Sequence, residues 1–230
     1  MTAVCVFAPF DKNIEKPSDY PEYGEVLARF GEKERGRIEG IKRAETALLS
    51  FGGLICLKRL TDGIAPENKK LTVLRDGLGK PFFEEAGIGS FNISHSGRLS
   101  AAVFTADSDR GVGIDIERIR AREGFDSISK RFFCEREREY ISRSASPEKA
   151  FYTIWTAKES YSKYIGRGLS SIADTDVFSV SERREAYFSH YALKADEEDY
   201  IMTVCAPLRE RTEIINGNGD VEIYEIQSGI

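Results

Sequence analysis

In Gly111-Val112-Gly113-Ile114-Asp115-Ile116-Glu117 the side chains alternate with a period of two, so Val112, Ile114 and Ile116 share one face of a strand while Gly113, Asp115 and Glu117 share the other. Residues two apart on a strand are separated by about 6.6 Å, which lets the Asp115 and Glu117 carboxylates converge on one cation. Mg2+ takes oxygen ligands at about 2.1 Å and keeps waters while bridging substrate phosphates, so a site of two or three carboxylates suits a phosphorylated substrate. Taken alone, a D-x-E on a strand is also commonly a solvated face, and the pair by itself does not separate the two.

Downstream, Pro147 to Ile165 has the marks of one long helix. Ser146 stands at the N-cap, Pro147 at the first helical position, Glu148 in the first turn, and Gly166 supplies the stop. Phe151, Ile154, Trp155 and Tyr161 outline a buried stripe with Glu159 at its edge and Lys163 a turn further on. Glu159 is thus a third carboxylate for the strand pair, although an exposed i,i+4 ion pair with Lys163 is the ordinary alternative. Between the strand and this helix, a helical segment is expected from about Ser127 to Ser142.

Upstream, Val4 to Ala8 reads as a first strand, about Glu25 to Arg59 as one or two helices, and the polar, glycine-containing stretch up to Lys80-Pro81 as loops. Phe91 to Ser94 and Leu99 to Thr105 form a hairpin about Ser96-Gly97. His95 lies in that hydroxyl-rich turn, where it either donates to a phosphate or serves as a satisfied structural histidine. Gly79-Lys80-Pro81 reads on its own as a surface turn. Near the end, Tyr187 to Leu193 and Tyr200 to Ala206 are strands, with Val221 to Ile226 as an edge strand. His190 sits mid-strand without a polar cluster and takes no role.

With 41% hydrophobic and 31% charged residues the 230-residue chain has a globular composition, long enough for one sizeable core or two small ones. The net charge of −5 weighs against nucleic acid as a partner, while leaving room for a local basic pocket. Cys5, Cys56, Cys134 and Cys205 form no C-x-x-C pair, which excludes a zinc knuckle and fits reduced thiols. The apolar start lacks a basic leader and is cut by Pro9 and Asp11, and no apolar run reaches the roughly 20 residues of a membrane helix. A cytoplasmic protein with no membrane contact is the expectation.

Read in order, Gly79-Lys80-Pro81, Phe91-Asn92-Ile93-Ser94-His95-Ser96, Gly113-Ile114-Asp115-Ile116-Glu117 and Trp155-Thr156-Ala157-Lys158-Glu159-Ser160-Tyr161-Ser162-Lys163 closely resemble the surfactin-synthetase-type 4′-phosphopantetheinyl transferases. The likeness continues through Lys130-Arg131-Phe132-Phe133 and Gly166-Arg167-Gly168-Leu169. It implies an α+β fold of two similar lobes, residues 1–106 and 107–230, forming an intramolecular pseudodimer with coenzyme A in the cleft. The shorter holo-carrier-protein synthases of that superfamily use about half as many residues and form trimers, so a monomer is expected.

By the same resemblance, Asp115, Glu117 and Glu159 are the Mg2+ ligands, and Lys80, Ser94, His95 and Lys163 contact the coenzyme A phosphates, with Lys158 a further candidate for that surface. Glu159, Lys163 and His95 are the implied catalytic set, Glu159 as the base. The implied reaction moves phosphopantetheine to a serine of an apo acyl or peptidyl carrier protein and releases adenosine 3′,5′-bisphosphate. The chain departs from the pattern before Leu48-Leu49, where Glu45-Thr46-Ala47 replaces the arginine that helps hold the adenosine 3′-phosphate. Arg43 is the candidate to replace it, with Lys33, Arg35, Arg37 and Lys42 nearby. Arg131 to Phe133 and Arg136 to Arg143 form the expected docking face for an acidic carrier. A Mg2+-dependent phosphohydrolase and a non-enzymatic coenzyme A or carrier binder are the alternatives.

Overall fold

The structure is a computed structural model and describes every residue except 1, 12, 63, 65–69, 108–110, 121–124, 169–170, 210, 220 and 229. Its first half runs β1 (Thr2–Phe7), α1 (Tyr23–Phe30), α2 (Glu32–Glu39), α3 (Ala44–Thr61), β2 (Val73–Arg75), β3 (Pro81–Phe83), β4 (Ser90–Ser96) and β5 (Leu99–Thr105). The second half follows with β6 (Gly113–Arg118), α4 (Phe125–Phe132), α5 (Glu135–Arg143), α6 (Pro147–Ile165), α7 (Val177–Glu182), β7 (Tyr187–Ala195), β8 (Glu198–Ala206), β9 (Thr212–Asn216) and β10 (Val221–Ile226).

Two four-stranded sheets carry the fold, in the orders β4-β5-β1-β9 and β10-β7-β8-β6. Each is built from the same unit: a strand, a long helix, then a hairpin whose second strand returns antiparallel beside the first. In one unit β1, α3, β4 and β5 play these parts; in the other β6, α6, β7 and β8 do. The α+β expectation holds, and both halves share this strand order. Val4, Val6, Leu99 and Val103 of the first sheet pack against Ile114, Ile116, Met202 and Val204 of the second in one buried cluster. Phe51, Leu54, Ile55 and Leu57 of α3 cover the other face of the first sheet, and Phe151, Ile154 and Ala157 of α6 that of the second.

The long helix follows its sequence signals from Pro147 to Ile165, with Gly166 in the left-handed region at φ 70°. Ser146 occupies the N-cap but its hydroxyl makes no capping bond. Elsewhere the segmentation is finer than the sequence suggests. The helical stretch expected from Glu25 to Arg59 is three helices, because Gly31 at φ 86° separates α1 from α2 and Gly40 ends α2. The Ser127 to Ser142 segment divides where Phe133 enters the core at 4% exposure and Cys134 starts α5. The loop before Pro81 holds the small β2–β3 hairpin, closed by Asp76, whose carboxylate accepts from the Leu78 and Lys80 N–H groups. The remaining additions are α7 and β9, the latter pairing parallel with β1. All four cysteines are free thiols, and among the described residues no helix is long and apolar enough to cross a membrane.

Candidate active site

The site forms where α6 crosses β6. A Cβ on Gly113 would lie 2.0 Å from the Ser160 carbonyl oxygen, so only glycine lets the strand approach the helix this closely. That approach brings Glu159 and Lys163 to the polar face of β6. Lys163 Nζ donates to Asp115 Oδ1 at 2.6 Å, Ser94 Oγ at 3.0 Å and the Ile114 carbonyl at 3.1 Å. The sequence-level alternative for Lys163, an exposed pair with Glu159, is replaced by this bridge to Asp115.

Asp115 is 5% exposed, and while Ser94 and Lys163 bond its Oδ1, its buried Oδ2 has no hydrogen-bond partner. A buried anionic oxygen without a partner is costly, and a bound cation relieves that cost. Glu117 accepts from Ser96 Oγ at 2.8 Å. Burial, then the negative charges of Asp115 and Glu117, push the Glu159 carboxyl up to about 7, with Lys163 pulling the other way. Three oxygen-donor acids with an excess of negative charge fit a hard divalent cation such as Mg2+, and Asp115, Glu117 and Glu159 are the residues that would hold it.

A different group, Cys134, Glu137 and Asp176, has its ligand atoms within 4.8 Å of one another. That cluster is already satisfied: Glu137 accepts from the Cys134 and Val177 N–H groups and pairs with Lys158, while Asp176 caps α7 through the Phe178 N–H. Asp115, Glu117 and Glu159 are not gathered to that spacing, in keeping with three like charges repelling one another.

Beside the acids lies a cavity of about 300 Å³ whose walls carry Arg37, Arg75, Lys80, His95 and Lys163. Glu34, 2% exposed, pairs with Arg37 at 2.8 Å and with Arg75 at 3.1 Å, so one buried carboxylate steadies two guanidinium groups at the wall. Lys80 Nζ donates to the Tyr164 carbonyl at 3.0 Å, and burial lowers its pKa. Partial desolvation and the Lys163 charge lower the pKa of His95, whose ring remains accessible from the cavity. The hairpin tip carrying His95 is fixed by the buried Tyr200, whose hydroxyl accepts from the Arg98 N–H at 3.1 Å and donates to Glu198 at 2.6 Å.

Three residues proposed from the sequence are placed differently. Lys158 is 0% exposed, paired with Glu137 at 2.9 Å and bonded to the Ile172 and Thr175 carbonyls, so it cannot reach a coenzyme A surface. Arg43 is exposed at the N-terminus of α3 and does not line the cavity, whereas Arg37 and Arg75 do. The Ser94 hydroxyl donates to Asp115 and accepts from Lys163 and the Ile116 N–H, which gives it a holding part rather than a face toward the cavity. In the expected docking face, Phe133 is core, and Arg136 is paired with Glu182. Leu169 of the Gly-Arg-Gly-Leu stretch lies outside the described residues. Arg75, Glu34 and Ser96 were not singled out from the sequence; only the i,i+3 spacing of Glu34 and Arg37 hints at a pair.

Residues 111–205 match the model of the 4′-phosphopantetheinyl transferase superfamily. The chain is 35% identical over 122 residues to the 4′-phosphopantetheinyl transferase HetI of Nostoc sp., covering 50% of this chain and 49% of that relative. It is 35% identical to the 4′-phosphopantetheinyl transferase Sfp of Bacillus subtilis strain 168, over 54% of each chain. With the L-aminoadipate-semialdehyde dehydrogenase-phosphopantetheinyl transferase of Xenopus laevis it shares 33% identity over 65% of this chain and 53% of the relative. The chain thus spans about half the length of these relatives. The matched stretch, which holds Asp115, Glu117, Glu159 and Lys163, is similar to the 4′-phosphopantetheinyl transferase superfamily.

Proposed function

We propose that this protein transfers the 4′-phosphopantetheine group of coenzyme A to a serine of an apo acyl or peptidyl carrier protein, with release of adenosine 3′,5′-bisphosphate. The observation that carries the reading is Lys163, which lines a cavity carrying Arg37, Arg75, Lys80 and His95 and bonds Asp115, itself coupled by charge to Glu159. Arg37, Arg75, Lys80 and His95 form a basic lining suited to the phosphates of coenzyme A, within a chain whose net charge is −5. Coenzyme A then lies between a lobe of residues 1–106 and one of residues 107–230, and the protein works as a cytoplasmic monomer.

In this reading the carrier serine oxygen forms a bond to the β-phosphorus, and the bond to the bridging oxygen breaks, leaving its electron pair on adenosine 3′,5′-bisphosphate. Glu159 takes the serine proton. Lys163, fixed by Asp115 and Ser94, supplies positive charge at the wall where the pyrophosphate is held. When bound by Asp115, Glu117 and Glu159, Mg2+ supplies charge neutralisation to the pyrophosphate.

Chromatographic measurement of adenosine 3′,5′-bisphosphate from coenzyme A tests the reading. Release that requires an apo carrier protein is expected. Equal release without a carrier would indicate water attack and a phosphohydrolase instead.

A further inference from the structure

β4 and β6 are edge strands of different sheets, so the outward N–H groups of β6 have no strand to pair with. Side chains of β4 take their place: Asn92 Oδ1 accepts from the Ile114 N–H at 3.4 Å, Ser94 Oγ from Ile116 at 3.4 Å and Ser96 Oγ from Arg118 at 3.1 Å. Three alternate residues of one edge therefore hold three alternate amides of the other, joining the sheets in a single register.

The same joint orients the acids. A hydroxyl has one proton to give. Because Ser96 Oγ accepts from the Arg118 N–H, its own proton is directed at Glu117 Oε2, 2.8 Å away. Ser94 makes the equivalent bond to Asp115 Oδ1 at 2.9 Å. We propose that Ser96 is a positioning residue for cation binding: its hydroxyl, turned by the Arg118 amide, fixes the Glu117 carboxylate beside Asp115 and Glu159 against the repulsion of three like charges. The assignment rests on the cation site under "Proposed function" and adds to it a residue that touches neither cation nor substrate. Partners of this kind hold a ligating oxygen in place, and their loss typically weakens metal affinity about 10- to 100-fold.

The test is a titration of the full chain with Mn2+ in the presence of coenzyme A, with free Mn2+ read by electron paramagnetic resonance. Ser96→Thr keeps the hydroxyl and should bind within about twofold of the parent, while Ser96→Val, of equal shape, and Ser96→Ala should bind about 10-fold or more weakly. Circular dichroism melts of these variants should stay close to the parent. Parent-like Mn2+ affinity in Ser96→Val and Ser96→Ala, or equal weakening in Ser96→Thr and Ser96→Val, would overturn the positioning role. Loss of fold in both hydroxyl-free variants would assign Ser96 to the sheet joint alone and overturn it as well. Failure of the parent itself to take up Mn2+ would remove the cation site, a separate result that takes the Ser96 role with it.

Discussion

His190 lies fully buried on β7 with Nδ1 2.9 Å from Thr203 Oγ1, and burial holds its pKa down to about 4 from the usual 6.5. The folded imidazole stays neutral while the unfolded one takes a proton below about pH 6.5, so stability is complete above that pH and declines as pH falls toward 4. The full loss is on the order of 3 kcal/mol. Urea unfolding should show His190→Phe losing less stability than the parent between pH 7 and pH 5; identical pH slopes would contradict the assignment. Residue identity was legible in uneven degree. Asp115 and Glu117 could be paired from alternation alone, because a strand puts i and i+2 on one side. Lys158 misled, since it adjoins Glu159 in sequence, yet one helical step of about 100° turns it to a different, buried side of α6. Ser96 stood in a quoted motif but its role was not legible, because that role depends on an amide and a carboxylate 21 or 22 residues away.

At the scale of elements, the Lys158 and Glu137 pair ties α6 to the start of α5 and to the Ile172 to Val177 turn, with both side chains at 0% exposure. Removing one partner leaves a buried charge uncompensated, at a cost of about 3 to 5 kcal/mol. Lys158→Met should therefore unfold at markedly lower urea, and adding Glu137→Gln should restore part of the loss. A Lys158→Met midpoint within error of the parent would show that the pair does not anchor α6. The helix itself was readable to its ends because its Pro147 start and Gly166 stop are local chemistry. What escaped was non-local or fine-grained. Thr212 to Asn216 pairs in parallel with β1, more than 200 residues away, and nothing within it announces that partner. The β2–β3 hairpin has three-residue strands, too short for alternation to register.

At the scale of the whole molecule, two units of the same strand order share one core between their sheets and meet again at the β4 and β6 edges. That second meeting sets a cavity whose wall carries five basic side chains beside Asp115, which Lys163 of that wall contacts. The acidic overall composition gave no view of the basic lining, which forms only when Arg37 from α2 and Arg75 from β2 are brought together on Glu34. The α+β class and the order of the motifs were legible; the nucleotide end of the cavity was not, because Arg37 is one of several cations on an exposed helical stretch.

The most direct test of transfer at this site is intact mass spectrometry of an apo carrier protein after incubation with this protein, coenzyme A and Mg2+, beside a chelator control and Glu159→Gln. The account predicts a gain of about 340 Da, the mass of the phosphopantetheine group, that is lost in both controls. No gain on unrelated apo carriers, with coenzyme A nonetheless bound tightly, would contradict it and leave a coenzyme A-binding protein.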